Sequence, residues 1–99
     1  MVKRIVAIGL VVVLLLCFAS SALAITGTVS VSTWLNLRKK ASTSSTIIAY
    51  MKNGTVVQIL DNANITNGFY RIKGESYTNH HNWTGKATRT GYGSANYIQ

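Results

Sequence analysis

The sequence predicts an all-β fold, a small barrel of about five to six short strands preceded by a removable leader. Short runs rich in Val, Ile, Leu and Tyr recur about every ten residues and are separated by Asn-Gly and Ser/Thr-rich turn signals. No stretch after residue 24 has a sustained helical period. Many short strands with regular turn signals are typical of a closed antiparallel sheet.

The N-terminal segment has the three parts of a secretory signal peptide. A basic start precedes an unbroken apolar run over residues 5–18, and residues 22–24 (Ala-Leu-Ala) form an A-x-A cleavage site. We therefore predict a signal peptide over residues 1–24 and one β-domain over residues 25–99. The protein is predicted to be exported: secreted, periplasmic or associated with the cell wall. A membrane anchor is expected only if the leader is not cleaved.

The predicted mature domain is strongly basic. When Lys3 and Arg4 leave with the leader, eight of the ten basic residues remain against two acidic ones, Asp61 and Glu75, which gives a net charge of +6. This excess predicts attraction to polyanions, and for an exported protein we expect anionic wall polymers rather than nucleic acid. The only cysteine, Cys17, lies in the leader, so we expect a domain without a disulfide.

The first two predicted strands follow directly after the leader. Residues 26–33 alternate between apolar and polar side chains, with Val29 and Val31 on one face. Leu35-Asn36-Leu37-Arg38 has the same period, so the two leucines are expected to face the core and Asn36 and Arg38 the solvent. Trp34 stands between these two segments.

The next segment contains two more strands joined by a tight turn. A loop rich in Ser and Thr over residues 41–45 leads into a β-branched strand over residues 46–51. The turn Lys52-Asn53-Gly54-Thr55 follows, with Gly54 expected at positive φ. In the strand over residues 56–60, Val57 and Ile59 are the predicted inward pair.

The C-terminal half departs from this regular pattern. Residues 61–67 are expected to form a hairpin loop, and residues 68–73 a further strand. A long polar stretch, Gly74 to Arg89, then intervenes as a predicted insert. Residues 90–98 are expected to close the barrel.

The order of these parts resembles the bacterial SH3 (SH3b) domain. The resemblance lies in the L-N-L-R strand, the Ser/Thr-rich loop, the Gly-Thr turn, the Gly68-Phe69-Tyr70-Arg71-Ile72 strand and the closing Tyr97-Ile98. It implies an SH3-like barrel and a non-catalytic binding module. Several members of that family bind peptidoglycan peptides, so the resemblance also implies a wall ligand.

The predicted mature domain shows no signature of a hydrolytic site, such as a G-x-S-x-G nucleophile motif. It has no cysteine nucleophile, and its two carboxylates lie in different predicted loops, so a glycosidase pair is not expected. His80 and His81 are interpreted as two exposed loop residues. They are not expected to bind one metal ion together, because adjacent residues of an extended chain point to opposite faces. We predict no enzyme activity, no metal site and no cofactor.

Aromatic residues are numerous for so small a domain. Phe69 and Tyr97 are interpreted as packing residues, because each lies in a strand-like segment beside an isoleucine. Tyr and Trp elsewhere offer flat faces with a polar tip, which suits sugars and peptide backbones. The predicted ligand-binding residues are Trp34, Asn36, Tyr70, Trp83 and Tyr92.

These observations predict an exported binding module for cell-wall peptidoglycan or its peptide stems. An alternative is a secreted protein–protein adaptor or inhibitor that uses the 74–89 insert as its recognition loop. A third hypothesis is a basic, membrane-active secreted protein. Composition and pattern leave these three open.

Overall fold

The computed structural model describes residues 24–99. The predicted signal peptide, with Cys17, lies outside these residues except for Ala24, so the two-unit division stays a prediction. No helix within residues 24–99 has the length and apolar character needed to cross a membrane. The described chain forms seven strands: β1 (Ile25–Thr28), β2 (Trp34–Arg38), β3 (Ile47–Lys52), β4 (Val56–Ile59), β5 (Ile65–Thr66), β6 (Phe69–Ser76) and β7 (Ala87–Ser94).

All strand pairs are antiparallel and form one curved sheet in the order β1-β4-β6-β7-β2-β3, with β5 attached to β6. Tyr50 at the outer edge of β3 and Tyr77 just past β6 exchange two backbone hydrogen bonds of 2.8 Å. These bonds bring the far edge of the sheet back to β6. The predicted small all-β, SH3-like fold is therefore confirmed, with seven strands because the two-residue β5 was not expected.

The end of β1 pairs with the C-terminal residues. The Thr28 amide donates to the Gln99 carbonyl at 2.8 Å, and the Gln99 amide donates back to Thr28 at 3.0 Å. Val29 bridges Ile98 in the same region. Of the predicted first strand, residues 26–33, only residues 26–28 lie in β1. Val29 forms an isolated bridge, and residues 30–33 are not part of a strand.

The core follows the predicted alternation in β2. Leu35 and Leu37 are buried while Asn36 and Arg38 are half-buried on the outer face, which confirms the inward and outward assignment. Val57 is also buried as predicted, and Ile59 is half-buried against the core. The buried cluster consists of Val29, Leu35, Leu37, Ala49, Met51, Val57, Ile72 and Ile98.

Two inward positions of β7 are glycines because β2 and β6 approach too closely for a side chain. A Cβ on Gly91 would lie 2.8 Å from Cγ of Leu37 and 2.9 Å from the backbone oxygen of Arg38. A Cβ on Gly93 would lie 3.0 Å from methyl groups of both Leu35 and Ile72. The missing side chains let large residues of β2 and β6 fill the core across β7.

The predicted hairpin loop over residues 61–67 is more structured than expected. Asp61–Ala63 form a tight turn with positive φ at all three residues, and Ile65–Thr66 then pair with the start of β6. The reversal itself occurs at Asn67 (φ 50) and Gly68 (φ 82). Gly54 has φ 84, which confirms the predicted turn after β3.

The predicted insert, residues 74–89, forms the far end of the β6–β7 hairpin. Gly74–Ser76 continue β6 and Ala87–Arg89 begin β7, in register from Gly74↔Arg89 to Ser76↔Ala87. Only residues 77–86, hereafter the hairpin tip, lie outside the ladder. Arg89 braces the base of the tip, because its guanidinium donates to the carbonyls of Ser76 at 3.0 Å and Gly85 at 2.9 Å.

The two aromatic packing assignments have opposite outcomes. Phe69 is only 7% exposed and packs as predicted. Tyr97 is 50% exposed, so its assignment as a packing residue is wrong. It lies in a short 3-10 turn after β7, where the chain no longer alternates, and its neighbour Ile98 occupies the core instead.

Candidate functional site

A groove of about 650 Å³ crosses the outer face of the barrel beside β2. Three residues of β2 that share one face of the strand, Trp34, Asn36 and Arg38, line it. The segments that follow β5 and β7 complete the walls. The rest of the lining includes Thr43, Asn67, Phe69, Ser94, Asn96 and Tyr97.

The Trp34 indole is held from three sides. Its Nε1–H donates a hydrogen bond of 3.1 Å to Oδ1 of Asn36. The imidazole of His80 stacks on it, with ring centroids 3.8 Å apart and planes inclined by 20°. The ring of Tyr50 meets it edge-on at 6.3 Å. The indole is therefore fixed at the rim of the groove, and a ligand there would meet a preorganised ring.

Polar groups and one cation give the groove its chemistry. The side-chain amide of Asn67 donates to the carbonyl of Ala41 at 3.3 Å, which ties the β2–β3 loop to the opposite wall. Arg38 is the charged residue of the lining, and its Nη1 donates to the Ser45 carbonyl at 2.9 Å. The lining contains no carboxylate. The groove thus combines aromatic faces, amide groups and one guanidinium, which suits a polar, extended ligand with acceptor or anionic groups.

His80 differs from the sequence interpretation of two exposed loop histidines. His81 is exposed, but His80 is half-buried between Trp34 and Tyr50, and the His80 and His81 rings lie 4.1 Å apart rather than on opposite faces. The tip is a turn and not a strand, so the alternation on which that prediction relied does not apply. Burial, and secondarily the neighbouring His81, lower the pKa of His80 below its usual value.

A second aromatic cluster lies at the base of the tip. Trp83, with a left-handed φ of 52, meets the ring of Tyr77 edge-on at 5.2 Å. The ammonium of Lys52 lies over both rings, 4.8 Å from the Tyr77 centroid and 5.3 Å from that of Trp83. The Tyr77 hydroxyl donates to Glu75 at 2.7 Å. That hydrogen bond raises the pKa of Tyr77 and lowers the pKa of the Glu75 carboxyl.

The structure separates the five predicted ligand residues. Trp34 and Asn36 line the groove together. Trp83 packs in the tip, and Tyr70 is half-buried against the core. Tyr92 leaves the outer face of β7 between its cross-strand partners Arg38 and Arg71 but does not line the groove.

Sequence reasoning missed several groove residues. Phe69 and Tyr97 were assigned to packing, and Asn67 to a turn. A signal for Tyr97 did exist, because Ala95-Asn96-Tyr97 follows the last alternating residues and so precedes a break in the strand. Nothing in the pattern marked Asn67 as a wall of the groove, since that role depends on the fold of the β2–β3 loop.

Within residues 24–99 no group of three or more His, Cys, Asp or Glu side chains is arranged to hold a metal ion. The two carboxylates have separate partners. Asp61 accepts from Arg71 at 3.0 Å, and Glu75 lies 3.6 Å from the ammonium of Lys86. Each carboxylate therefore has a structural role in the described chain.

The comparison with protein families agrees with this architecture. The model of the bacterial SH3 domain matches residues 33–99, which is more than half of the chain. The chain belongs to the bacterial SH3 domain family. This family consists of binding modules that are generally non-catalytic. Neither the curated proteins nor the solved structures contain a match to this bacterial SH3 chain.

Proposed function

We propose that this bacterial SH3 protein is an exported, non-catalytic module that binds peptidoglycan through its peptide stems. The observation that carries the proposal is the groove itself, in which a fixed indole, three asparagines and one arginine face an open channel without a carboxylate. Peptide stems are extended, rich in amide groups and carry free carboxylates. Asparagine amides pair with peptide groups, and a guanidinium pairs with a carboxylate.

The predicted signal peptide and the net charge support the same partner. Export would deliver the domain to the wall, and its positive charge would add attraction to anionic wall polymers. Salt screens the attraction between the net charge and the wall polymers, whereas short-range contacts in the groove depend much less on the salt concentration. The two contributions are therefore separable by experiment.

The test is co-sedimentation of the full chain, in a non-ionic detergent, with purified sacculi from which anionic polymers have been stripped. We expect binding to stripped sacculi to persist at high salt. Tyr97→Ala removes an exposed ring from the groove and is expected to weaken binding by about 5–30-fold, as for a central aromatic contact worth about 1–2 kcal/mol. Tyr92→Ala is the matched control, because it removes the same side chain from outside the groove.

If the sacculi retain the Tyr97→Ala and Tyr92→Ala variants equally, or if only Tyr92→Ala weakens binding, the groove is not the peptidoglycan-binding site. Binding that disappears when the sacculi are stripped would show that charge alone had supported retention. The alternative function, a protein partner recognised by residues 74–89, stays a prediction, and so does the membrane-active hypothesis.

A further inference from the structure

The loop between β2 and β3 contains a second concavity, hereafter the hydroxyl cleft, of about 380 Å³. Its lining is distinct from that of the groove and consists of Lys39, Lys40, Ser42, Ser44, Ser45 and Thr46. The residues that line the cleft carry two ammonium groups and four hydroxyls. It contains no carboxylate and no aromatic ring.

The loop is held in shape by its own hydrogen bonds. The Lys39 amide donates to the Thr46 carbonyl at 2.9 Å, which closes the loop at its base. Higher in the loop, the Lys40 amide donates to Oγ of Ser45 at 2.8 Å, and the hydroxyls of Ser42 and Ser44 bond each other at 2.8 Å. Because the Ser45 oxygen accepts from Lys40, its own proton is free to donate. A ligand would thus meet a preformed cleft and order little on binding.

The positive charge of the cleft is not neutralised by the protein. Asp61 and Glu75 are the only acidic residues of the whole sequence. In the described part of the chain, both are paired elsewhere, with Arg71 at 3.0 Å and with Lys86 at 3.6 Å. Lys39 and Lys40 are both exposed and have no carboxylate partner within residues 24–99. The two ammonium groups are thus available to an external anion.

Ammonium and hydroxyl donors around a small cleft match the oxygens of a phosphate group. The lining has no ring on which a nucleobase would stack and no large aliphatic side chain on which an acyl chain would pack. We infer that the hydroxyl cleft binds phosphate groups of a polyol-phosphate polymer. This inference deepens the proposed function, because it replaces a general attraction to anionic wall polymers with a named site.

The first experiment is an NMR titration of the full chain with inorganic phosphate at constant ionic strength. We expect saturable shifts of backbone amides within residues 39–46. Lys39→Gln and Lys40→Gln are each expected to weaken binding by about 2–5-fold, as is usual for one exposed ion pair. Lys73→Gln is the matched control, because Lys73 is an exposed strand lysine outside both sites, and its removal is expected to change binding little.

Two outcomes of this titration would overturn the inference. If phosphate produces no saturable shifts in residues 39–46, the cleft is not a site. If Lys73→Gln weakens binding as much as the two cleft variants do, net charge and not the cleft is responsible. Tyr97→Ala separates this result from the groove, since it is expected to impair sacculus binding while leaving phosphate binding unchanged.

The second experiment distinguishes the sources of phosphate. Poly(glycerol phosphate), single-stranded DNA and anionic lipid vesicles are titrated in parallel at matched phosphate concentration and salt. We expect the poly(glycerol phosphate) to bind most tightly and to be the probe most weakened by the Lys39→Gln/Lys40→Gln double variant. Tighter binding of DNA or vesicles through the same two lysines would overturn the assignment to a polyol-phosphate chain.

Discussion

Gly91→Ala tests how closely β2 and β7 approach beneath the groove. The added methyl carbon would lie 2.8 Å from Cγ of Leu37, which is fully buried, and 2.9 Å from the backbone oxygen of Arg38. Neither atom has room to move unless the strands separate by a few tenths of an ångström. Overpacking costs about 1–3 kcal/mol, while the smaller backbone entropy of alanine returns about 0.5–1 kcal/mol. We expect a net loss of about 1–2 kcal/mol in the free energy of unfolding.

Gly74→Ala is the comparison, because a methyl group there would meet one buried side-chain methyl but no backbone atom at close range. Its nearest atom is Cγ1 of Val57 at 2.9 Å, a side-chain methyl, and the nearest backbone atom, the oxygen of Val56, lies at 3.5 Å. We expect a smaller loss of stability than for Gly91→Ala, because only one side-chain contact has to adjust and the backbone does not.

Urea unfolding followed by tryptophan fluorescence measures both glycine variants, with unchanged m-values as the check for two-state behaviour. In a domain of this size, each kcal/mol lowers the Tm by about 4–8 °C. If Gly91→Ala is as stable as the parent chain, or if Gly74→Ala is the more damaging change, steric contact across β7 does not explain its glycines.

The remaining predictions concern protonation. The pKa of His80 is lowered in the folded state, so as the pH falls through 6.5 this histidine is protonated first in the unfolded chain. The free energy of unfolding therefore decreases in this range and levels off below the folded-state pKa. Thermal unfolding across this range should show the decrease, and His80→Phe, which keeps a ring on Trp34, should remove it; an unchanged pH profile would contradict this. Glu75→Gln should move the pKa of Tyr77 back towards 10.0 in an ultraviolet titration, with Tyr77→Phe identifying the signal. A titration curve that does not move would show that Glu75 has no such effect.

The sequence predicted the parts of the fold that depend on local alternation. In β2, the period of two assigned Leu35 and Leu37 to the core, because a half-buried strand must divide its side chains between two faces. The turn at Gly54 was predictable for a similar reason, since positive φ is inexpensive only for glycine. Both features are determined within a few residues of chain.

The arrangement of the hairpin tip was not predictable in this way. The strands that lead to it are extended through Gly74–Ser76 and Ala87–Arg89, which carry little hydrophobic pattern. Their pairing is fixed by the register that begins at Phe69↔Ser94. The contact between His80 and Trp34 joins residues 46 positions apart in the chain and exists only once that register and the tip turn are formed. For the same reason, the sequence identified two of the groove residues, Trp34 and Asn36, but not the walls that the loops supply.

The pairing of Thr28 with Gln99 has a consequence for how the protein is made. The bonds that join β1 to the C-terminal residues link positions 71 apart, so they cannot form until the last residues of the domain have been synthesised. Contacts of such long range also slow folding, because loop closure costs entropy before any packing repays it. A nascent chain would therefore remain without its closed barrel for as long as its final strand and turn are missing.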